Sequence, residues 1–249
     1  MEKFFTEGNY KLSNYCLICF DGEYDKAYDL LQGQVLSDVG RCKEKKFELS
    51  GLCDERGFIL ADFYISLNDN KFVIAIDMEL KSIFLNEMQK FIPFYDIKLV
   101  NFEKELVASC RRSNENNATL CKIDVLMDDL KNNGLFINYQ QWECNNLLIG
   151  NIHLDKNLSG KYRPHEVMYD KNRVSFTKGC FRGQEVIARV EYRSKKRIEV
   201  KLNAESHPPK NKKIVSHVDY WDSYNNFYTK IPMFGQIFKF FLNLVRKRI

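Results

Sequence analysis

The chain has 249 residues, 45% of them hydrophobic and 29% charged, with 38 Lys plus Arg against 33 Asp plus Glu. That composition suits a globular protein, and twelve Gly with five Pro exclude a collagen or a linker-rich chain. The longest apolar stretches, 72–76 and 240–245, fall far short of the roughly 20 residues a spanning helix needs, so no transmembrane segment is expected.

The first ten residues carry Glu2, Lys3 and Glu7 without an apolar run, which does not look like a secretory signal, and a cytoplasmic location is the expectation. Cys16 and Cys19 lie in Tyr15-Cys-Leu-Ile-Cys-Phe20, which reads as a buried strand. A helix is predicted over 23–32, with Ala27, Leu30 and Leu31 on one face and Gly33 as its stop. Strands follow at 47–53, 58–67 and 71–77, joined by Asp54-Glu55-Arg56-Gly57 and Asn68-Asp69-Asn70 into an antiparallel meander. In the middle one, Ile59, Ala61, Phe63, Ile65 and Leu67 alternate with more polar neighbours, the period of a half-buried strand. Leu80, Ile83, Phe84, Met88 and Phe91 predict a helix ended by Pro93. Strands near 97–102 and 118–123 and helices near 125–131 and 140–148 complete the core. Runs of strands mixed with isolated helices indicate an α+β fold.

Two domains are expected, a core over 1–195 and a small segment over 196–249. In the latter, Phe234, Ile237, Phe238, Phe241, Leu242 and Val245 have helical spacing ahead of Arg246-Lys247-Arg248, predicting an amphipathic helix with a basic end. Docking on the core is favoured over a membrane surface or a partner, because such stripes are usually core and a basic last turn suits the helix dipole. Charge is polarised along the chain: residues 1–150 carry a net −7 and residues 151–249 a net +12. A basic half suits an anionic partner such as RNA, a polyglutamylated cofactor or a phospholipid surface, or is a solvated face without one.

Eight cysteines spread through a chain without an export signal read as reduced thiols. The four histidines show no i,i+4 pair and no carboxylate at metal spacing, so local sequence predicts no protein-built metal site. The segment richest in chemistry is 174–189. A short strand is expected to run into Lys178-Gly179, and Gln184-Glu185 to open a helix. Cys180 then sits ahead of a helix N-terminus with Lys178 and Arg182 beside it, each of which favours thiolate over thiol. The competing reading makes Cys180 a small packed residue and the glycines mere packing.

Lys178-Gly-Cys-Phe-Arg-Gly-Gln-Glu185 resembles the K-G-C-Y-x-G-Q-E signature of the YgfZ folate-binding proteins, relatives of the glycine-cleavage aminomethyltransferase (T-protein, GcvT). Supporting resemblances cover about residues 15–200: Leu30-Leu-Gln-Gly-Gln-Val35 with Asp38, Leu52-Cys-Asp-Glu-Arg-Gly57, the Trp142 to Gly150 spacing, Arg163-Pro-His-Glu-Val167, and Glu191-Tyr-Arg193 with Lys196-Arg197. The resemblance implies an α+β folate-binding core of antiparallel sheets with packed helices and a C-terminal β segment. It also implies binding of tetrahydrofolate or a derivative, and a role in assembling or repairing iron-sulfur clusters of client enzymes, including those that methylthiolate tRNA. It makes Cys180 the functional thiol and Lys178 its neighbour, with Gly179, Phe181, Arg182, Gly183, Gln184 and Glu185 as the rest of the signature. Trp142 matches a folate-associated tryptophan whose indole can stack on a pterin, or else it is plain core. Arg189 is assigned to the folate. With Arg193, Lys195, Lys196, Arg197, Lys201 and Tyr192 it forms a basic stretch able to hold a folate glutamate tail, an acidic client or weakly RNA.

The chain departs from the family in Phe181 for Tyr, in Arg182 where a hydroxyl is common, in the absence of a second folate-associated tryptophan, and in a short C-terminal segment. One thiol cannot hold a cluster alone, so any cluster contact is shared or transient. The alternatives are a folate-dependent aminomethyl-type transferase, which needs a carboxylate near the folate nitrogens, and a basic RNA-binding module. An accessory factor is favoured over an enzyme.

Overall fold

The computed structural model describes residues 4–113, 120–127 and 134–193, and the backbone of 114–115, 118–119, 196–205, 214–221 and 237–248. Strands β1 (Gly8–Lys11), β2 (Tyr15–Asp21), β3 (Lys46–Cys53), β4 (Ile59–Asn68), β5 (Lys71–Asp77), β6 (Lys98–Phe102), β7 (Leu106–Glu115) and β8 (Ala118–Met127) form one eight-stranded sheet. Its order is β1-β7-β8-β3-β4-β5-β2-β6, and every pair in it is antiparallel. The join between β8 and β3 rests on only Lys46↔Leu126 and Phe47↔Val125, so the sheet hinges there into two curled halves. The helices are α1 (Tyr24–Gln34), α2 (Met78–Met88), α3 (Tyr139–Leu148), α4 (Tyr169–Asn172) and α5 (Gln184–Arg193). The architecture is the expected α+β, and among the described residues no helix is long and apolar enough to cross a membrane.

Period-2 alternation divides the strands between two cores. Ile18 and Phe20 of β2 and Phe72, Ile74 and Ile76 of β5 pack into one, under α1 and α2. Leu17 and Cys19, with Val73 and Ala75, point the other way into a second core that contains Trp142 of α3. The alternation predicted for β4 holds, but the strand is not half-buried: Asp62, Tyr64 and Ser66, which occupy its polar positions, are as buried as Ala61 and Phe63. The second core covers that face, and its polar side chains form an interior network. All eight cysteines are free thiols, with Cys16 and Cys19 on β2 as expected.

Several local expectations are corrected. Gly33 does not stop α1, which continues to Gln34 and is capped by the Val35 N–H bonding Leu31 O. Residues 125–127 end β8 rather than beginning a helix, because Val125 pairs with both Phe47 and Ala108; residues 128–131 lie outside the described ones. The stretch before Lys178 is irregular, with no ladder partner. β7 was not anticipated; its Arg111-Arg112-Ser113 segment pairs with Cys121 and its neighbours in β8. The C-terminal amphipathic helix is absent. Residues 237–248 instead form a strand, β11, between β9 (Lys196–Glu205) and β10 (Ile214–Trp221), antiparallel to both. Phe240-Phe241-Leu242 and Leu244-Val245 suit a strand as well as a helix, and pairing on both edges outweighs the 3.6-residue spacing.

Candidate functional site

The signature loop is held by a buried ammonium. Lys178 Nζ donates to the carbonyl oxygens of Gln32, Val35 and Ser37 at 2.8, 2.6 and 2.9 Å, matching its three hydrogens with three acceptors at the end of α1. Burial lowers its pKa to about 8, and Asp38 works in the opposite direction. The ammonium also lies 4.9 Å from the ring centroid of Phe181, which is buried. Arg182 donates its backbone N–H to Gly33 O, and its guanidinium bridges Glu55 and Glu87, each at 2.8 Å. Neither cation is spent on the thiol. Cys180 stands exposed on a loop whose two neighbouring positive charges are turned into the fold, toward the carbonyls at the end of α1 and toward Glu55 and Glu87.

Two glycines fix the other side of the loop. Gly183 has φ +80°, and a Cβ there would lie 2.5 Å from Asp54 O and 3.2 Å from Gly57 Cα. Gly57 itself has φ +75° and lies against Ile187 of α5. The 52–57 turn and the 178–185 loop therefore interlock backbone to backbone, which explains glycine at both positions. Three sequence stretches separated along the chain, 30–38, 52–57 and 178–185, meet in one unit.

A cavity of about 740 Å³ opens beside the second core, lined among others by Tyr10, Tyr15, Asp77, Tyr139, Trp142, Glu143 and His153. α3 supplies its wall and is fixed by a reciprocal capping box between Asn138 and Gln141. Trp142 is only 2% exposed and stacks on Tyr10, with centroids 5.3 Å apart and planes at 11°. Tyr139, 54% exposed, is the ring the cavity presents most openly. Burial pushes the Glu143 carboxyl above the usual range; His153 opposes this, while Asp62 and Asp77 add to it.

Behind the cavity lies the polar face of β4. His153 Nδ1 is 2.9 Å from Asp62 Oδ2, and its Nε2 is 3.0 Å from Tyr64 Oη and 3.1 Å from Asn151 Nδ2. The Asn151 amide, already donating to Asn146 Oδ1, makes Nε2 the acceptor and Nδ1 the N–H that donates to Asp62. Arg173, fully buried, reaches Asp62 at 3.0 Å, Asn151 at 2.7 Å and Ile152 O at 2.6 Å, and covers the Tyr169 ring at 4.0 Å. Burial alone would raise the Asp62 pKa; Arg173, the His153 bond and the Leu154 N–H outweigh it and hold the carboxylate below its ordinary range.

No family model matches the chain. Over 220 aligned positions it is 23% identical to the "tRNA-modifying protein YgfZ" of Escherichia coli (strain SE11), covering 73% of this chain and 67% of that protein. The protein of that name from Shigella boydii serotype 18 gives the same identity and coverage. In fold, the chain superposes on the glycine cleavage system aminomethyltransferase T from Bartonella henselae with a TM-score of 0.57 at 12% identity, covering 98% of this chain and 80% of the other. The chain is YgfZ-like in sequence and aminomethyltransferase-like in fold.

In this aminomethyltransferase-like fold the anticipated site residues fall into two groups. Lys178, Gly179, Cys180, Phe181, Arg182, Gly183, Gln184 and Glu185 are contiguous, with Gln184 and Glu185 opening α5 as expected. Trp142 lies in the cavity wall, whereas Cys180, Lys178 and Arg189 do not line it, and Arg189 is exposed on α5. Sequence reasoning missed Glu143, Asp62, His153 and Arg173. Glu143 adjoins Trp142 and was within reach of a pattern argument. Asp62 sat at a polar position of an alternating strand, where solvent was the default reading, and Arg173 carried no motif at all.

Proposed function

We infer that this chain binds a reduced folate in the Trp142–Glu143–His153 cavity and acts in tRNA modification by maintaining iron-sulfur enzymes that methylthiolate tRNA, with Cys180 as the working thiol. The observation that carries the reading is the cavity: about 740 Å³, walled by aromatic rings, with the half-buried Glu143 carboxylate beside them. That size and lining suit a pterin with its aminobenzoyl arm. Glu143 is the acceptor for the amino and ring N–H donors of the pterin edge, Tyr139 offers the open ring, and Trp142 with Tyr10 backs the wall. A bound reduced folate supplies one-carbon or redox chemistry of its own. The chain's residues hold and orient it, while the Asp62–His153–Tyr64 network keeps the wall rigid.

Support for the tRNA role is the similarity to tRNA-modifying YgfZ proteins together with the signature that carries Cys180. The exposed thiol meets clients outside the folate cavity, so the folate and thiol functions occupy different places on the surface. Under this reading the chain is an accessory factor of the cytoplasm whose partners are folate and iron-sulfur clients, with RNA contact through the basic half secondary.

A second reading, one-carbon transfer, is favoured by Glu143 and His153 standing in the cavity, because a transferase needs a carboxylate beside the folate nitrogens. The deciding experiment is rescue of 2-methylthio-tRNA in cells lacking their own YgfZ-type protein. Wild type is expected to restore the modification, Cys180→Ala to fail, and Glu143→Gln to be impaired. Full rescue by Cys180→Ala removes the thiol from the reading, and folate-dependent one-carbon transfer by the purified protein replaces it with the second.

A further inference from the structure

His165, Asp170 and Glu191 come from three elements, a 3-10 turn at Pro164–Glu166, α4 and α5. One ligand atom from each lies within 4.8 Å of the other two. His165 Nε2 is 3.2 Å from Glu191 Oε2. Two donors held at about 2.1 Å from one ion and at about 100° to each other are separated by roughly this distance, so the pair has the spacing of neighbouring metal ligands. The inner wall is dry: the His165 side chain is 4% exposed and that of Asp170 7%, while Glu191, at 24%, faces the way in. Two carboxylates this close repel, and a dication between them removes both charges at once. Lys171, 2.8 Å from Asp170 and itself mostly exposed, meets one of them from the outside. His165 and Glu191 are 26 positions apart, which is why no local spacing displays them.

We propose that His165, Asp170 and Glu191 form a mononuclear site for a divalent transition-metal ion, with Zn²⁺ the preferred occupant and water completing the coordination. One imidazole nitrogen with two carboxylate oxygens is a borderline donor set. Mg²⁺ and Ca²⁺ favour all-oxygen shells, and the affinity series places Zn²⁺ above Mn²⁺ and Fe²⁺. The ion ties α5 to the 164–170 segment, and so steadies the helix that follows the Cys180 loop. Its role is structural and independent of the folate reading.

The test uses the full chain, stripped with a chelator and titrated with Co²⁺ and then Zn²⁺. One equivalent of Co²⁺ is expected, with visible d–d bands, no sulfur-to-cobalt charge-transfer band, and displacement by Zn²⁺. Asp170→Asn and Glu191→Gln, both isosteric, are expected to weaken Zn²⁺ binding at least tenfold, and Glu191→Gln to abolish the rise in melting temperature that Zn²⁺ gives the wild type. Should Asp170→Asn fail to fold, the more exposed Glu191→Gln decides alone. Eight free thiols are the competing ligands. A thiolate band, unchanged Zn²⁺ affinity in a folded Glu191→Gln, or no stoichiometric binding by the wild type each overturns the proposal.

Discussion

Lys178 Nζ reaches Val35 O at 2.6 Å, so a residue of the signature loop closes the C-terminal end of α1 rather than approaching the neighbouring Cys180. The ammonium is acting as a cap: the last carbonyls of a helix lack partners in the helix itself, and a cation there also meets the negative end of the dipole. Lys178→Met leaves three carbonyls, that of Val35 buried and those of Gln32 and Ser37 partly so, without their donor while keeping the length of the side chain. A loss of about 3 kcal/mol in unfolding free energy is expected, seen as a lower denaturant midpoint with an unchanged slope. A variant as stable as wild type would show that the three bonds contribute nothing net.

Gly183 and Gly33 lie in neighbouring motifs, and alanine should act on them with opposite sign. At Gly183 the added Cβ meets Asp54 O at 2.5 Å, a backbone atom that cannot swing aside, in a φ of +80°. Gly183→Ala is expected to cost at least about 2 kcal/mol from the left-handed conformation and the clash together. At Gly33 nothing lies within 4 Å of a Cβ, and the residue is inside α1. Gly33→Ala is therefore expected to stabilise by about 0.5–1 kcal/mol. Thermal melts of the two variants side by side check both signs.

These two glycines also mark how far sequence reading reaches. The meander of β3, β4 and β5, helices α1, α2, α3 and α5, and the close backbone approach at Gly183 were legible because hydrophobic period and turn residues are local signals, whereas the partners of Lys178 and Arg182 lie in distant sequence. The wrong stop at Gly33 came from treating a helix-interior glycine as a terminator, and β11 from a stripe whose residues fit either period. The candidate cavity was half legible, through Trp142. Asp62 and Arg173 were hidden for a physical reason: a polar residue on an alternating strand signals solvent unless a second layer covers it, and that layer, built from β1, β7, β8 and α3, comes from distant sequence.

Asp62 gives a pH dependence with a definite sign. Its carboxyl is held below the ordinary value in the folded protein, so between the folded pKa and about 3.9 the unfolded chain binds more protons. The stability contributed by the Asp62–Arg173–His153 cluster is therefore fully present above about pH 4 and is lost as pH falls toward the folded pKa. Asp62→Asn removes a buried charge opposite Arg173 and is expected to cost about 3–5 kcal/mol at pH 7. The gap between wild type and Asp62→Asn should narrow as the pH is lowered below about 4. Denaturant unfolding at several pH values measures it, and a gap that stays constant would place the stabilising charge elsewhere.

Glu143 tests where the folate sits. If its carboxylate accepts from the pterin edge, Glu143→Gln substitutes a neutral amide and should weaken binding of a reduced folate about tenfold, near 1.4 kcal/mol. Quenching of the intrinsic fluorescence by folate is a direct readout, since Trp142 stands in the cavity wall. Cys180→Ala, outside the lining, should bind folate like wild type. Acid adds a second signature. Burial raises the Glu143 pKa, with His153 opposing, so the charged acceptor is lost on acidification at a pH above that of an ordinary glutamate, and wild-type affinity should fall there while Glu143→Gln stays flat. Equal affinity for the two proteins across that range would place the pterin edge against another group, and Tyr139→Ala would then show whether the aromatic wall binds it at all.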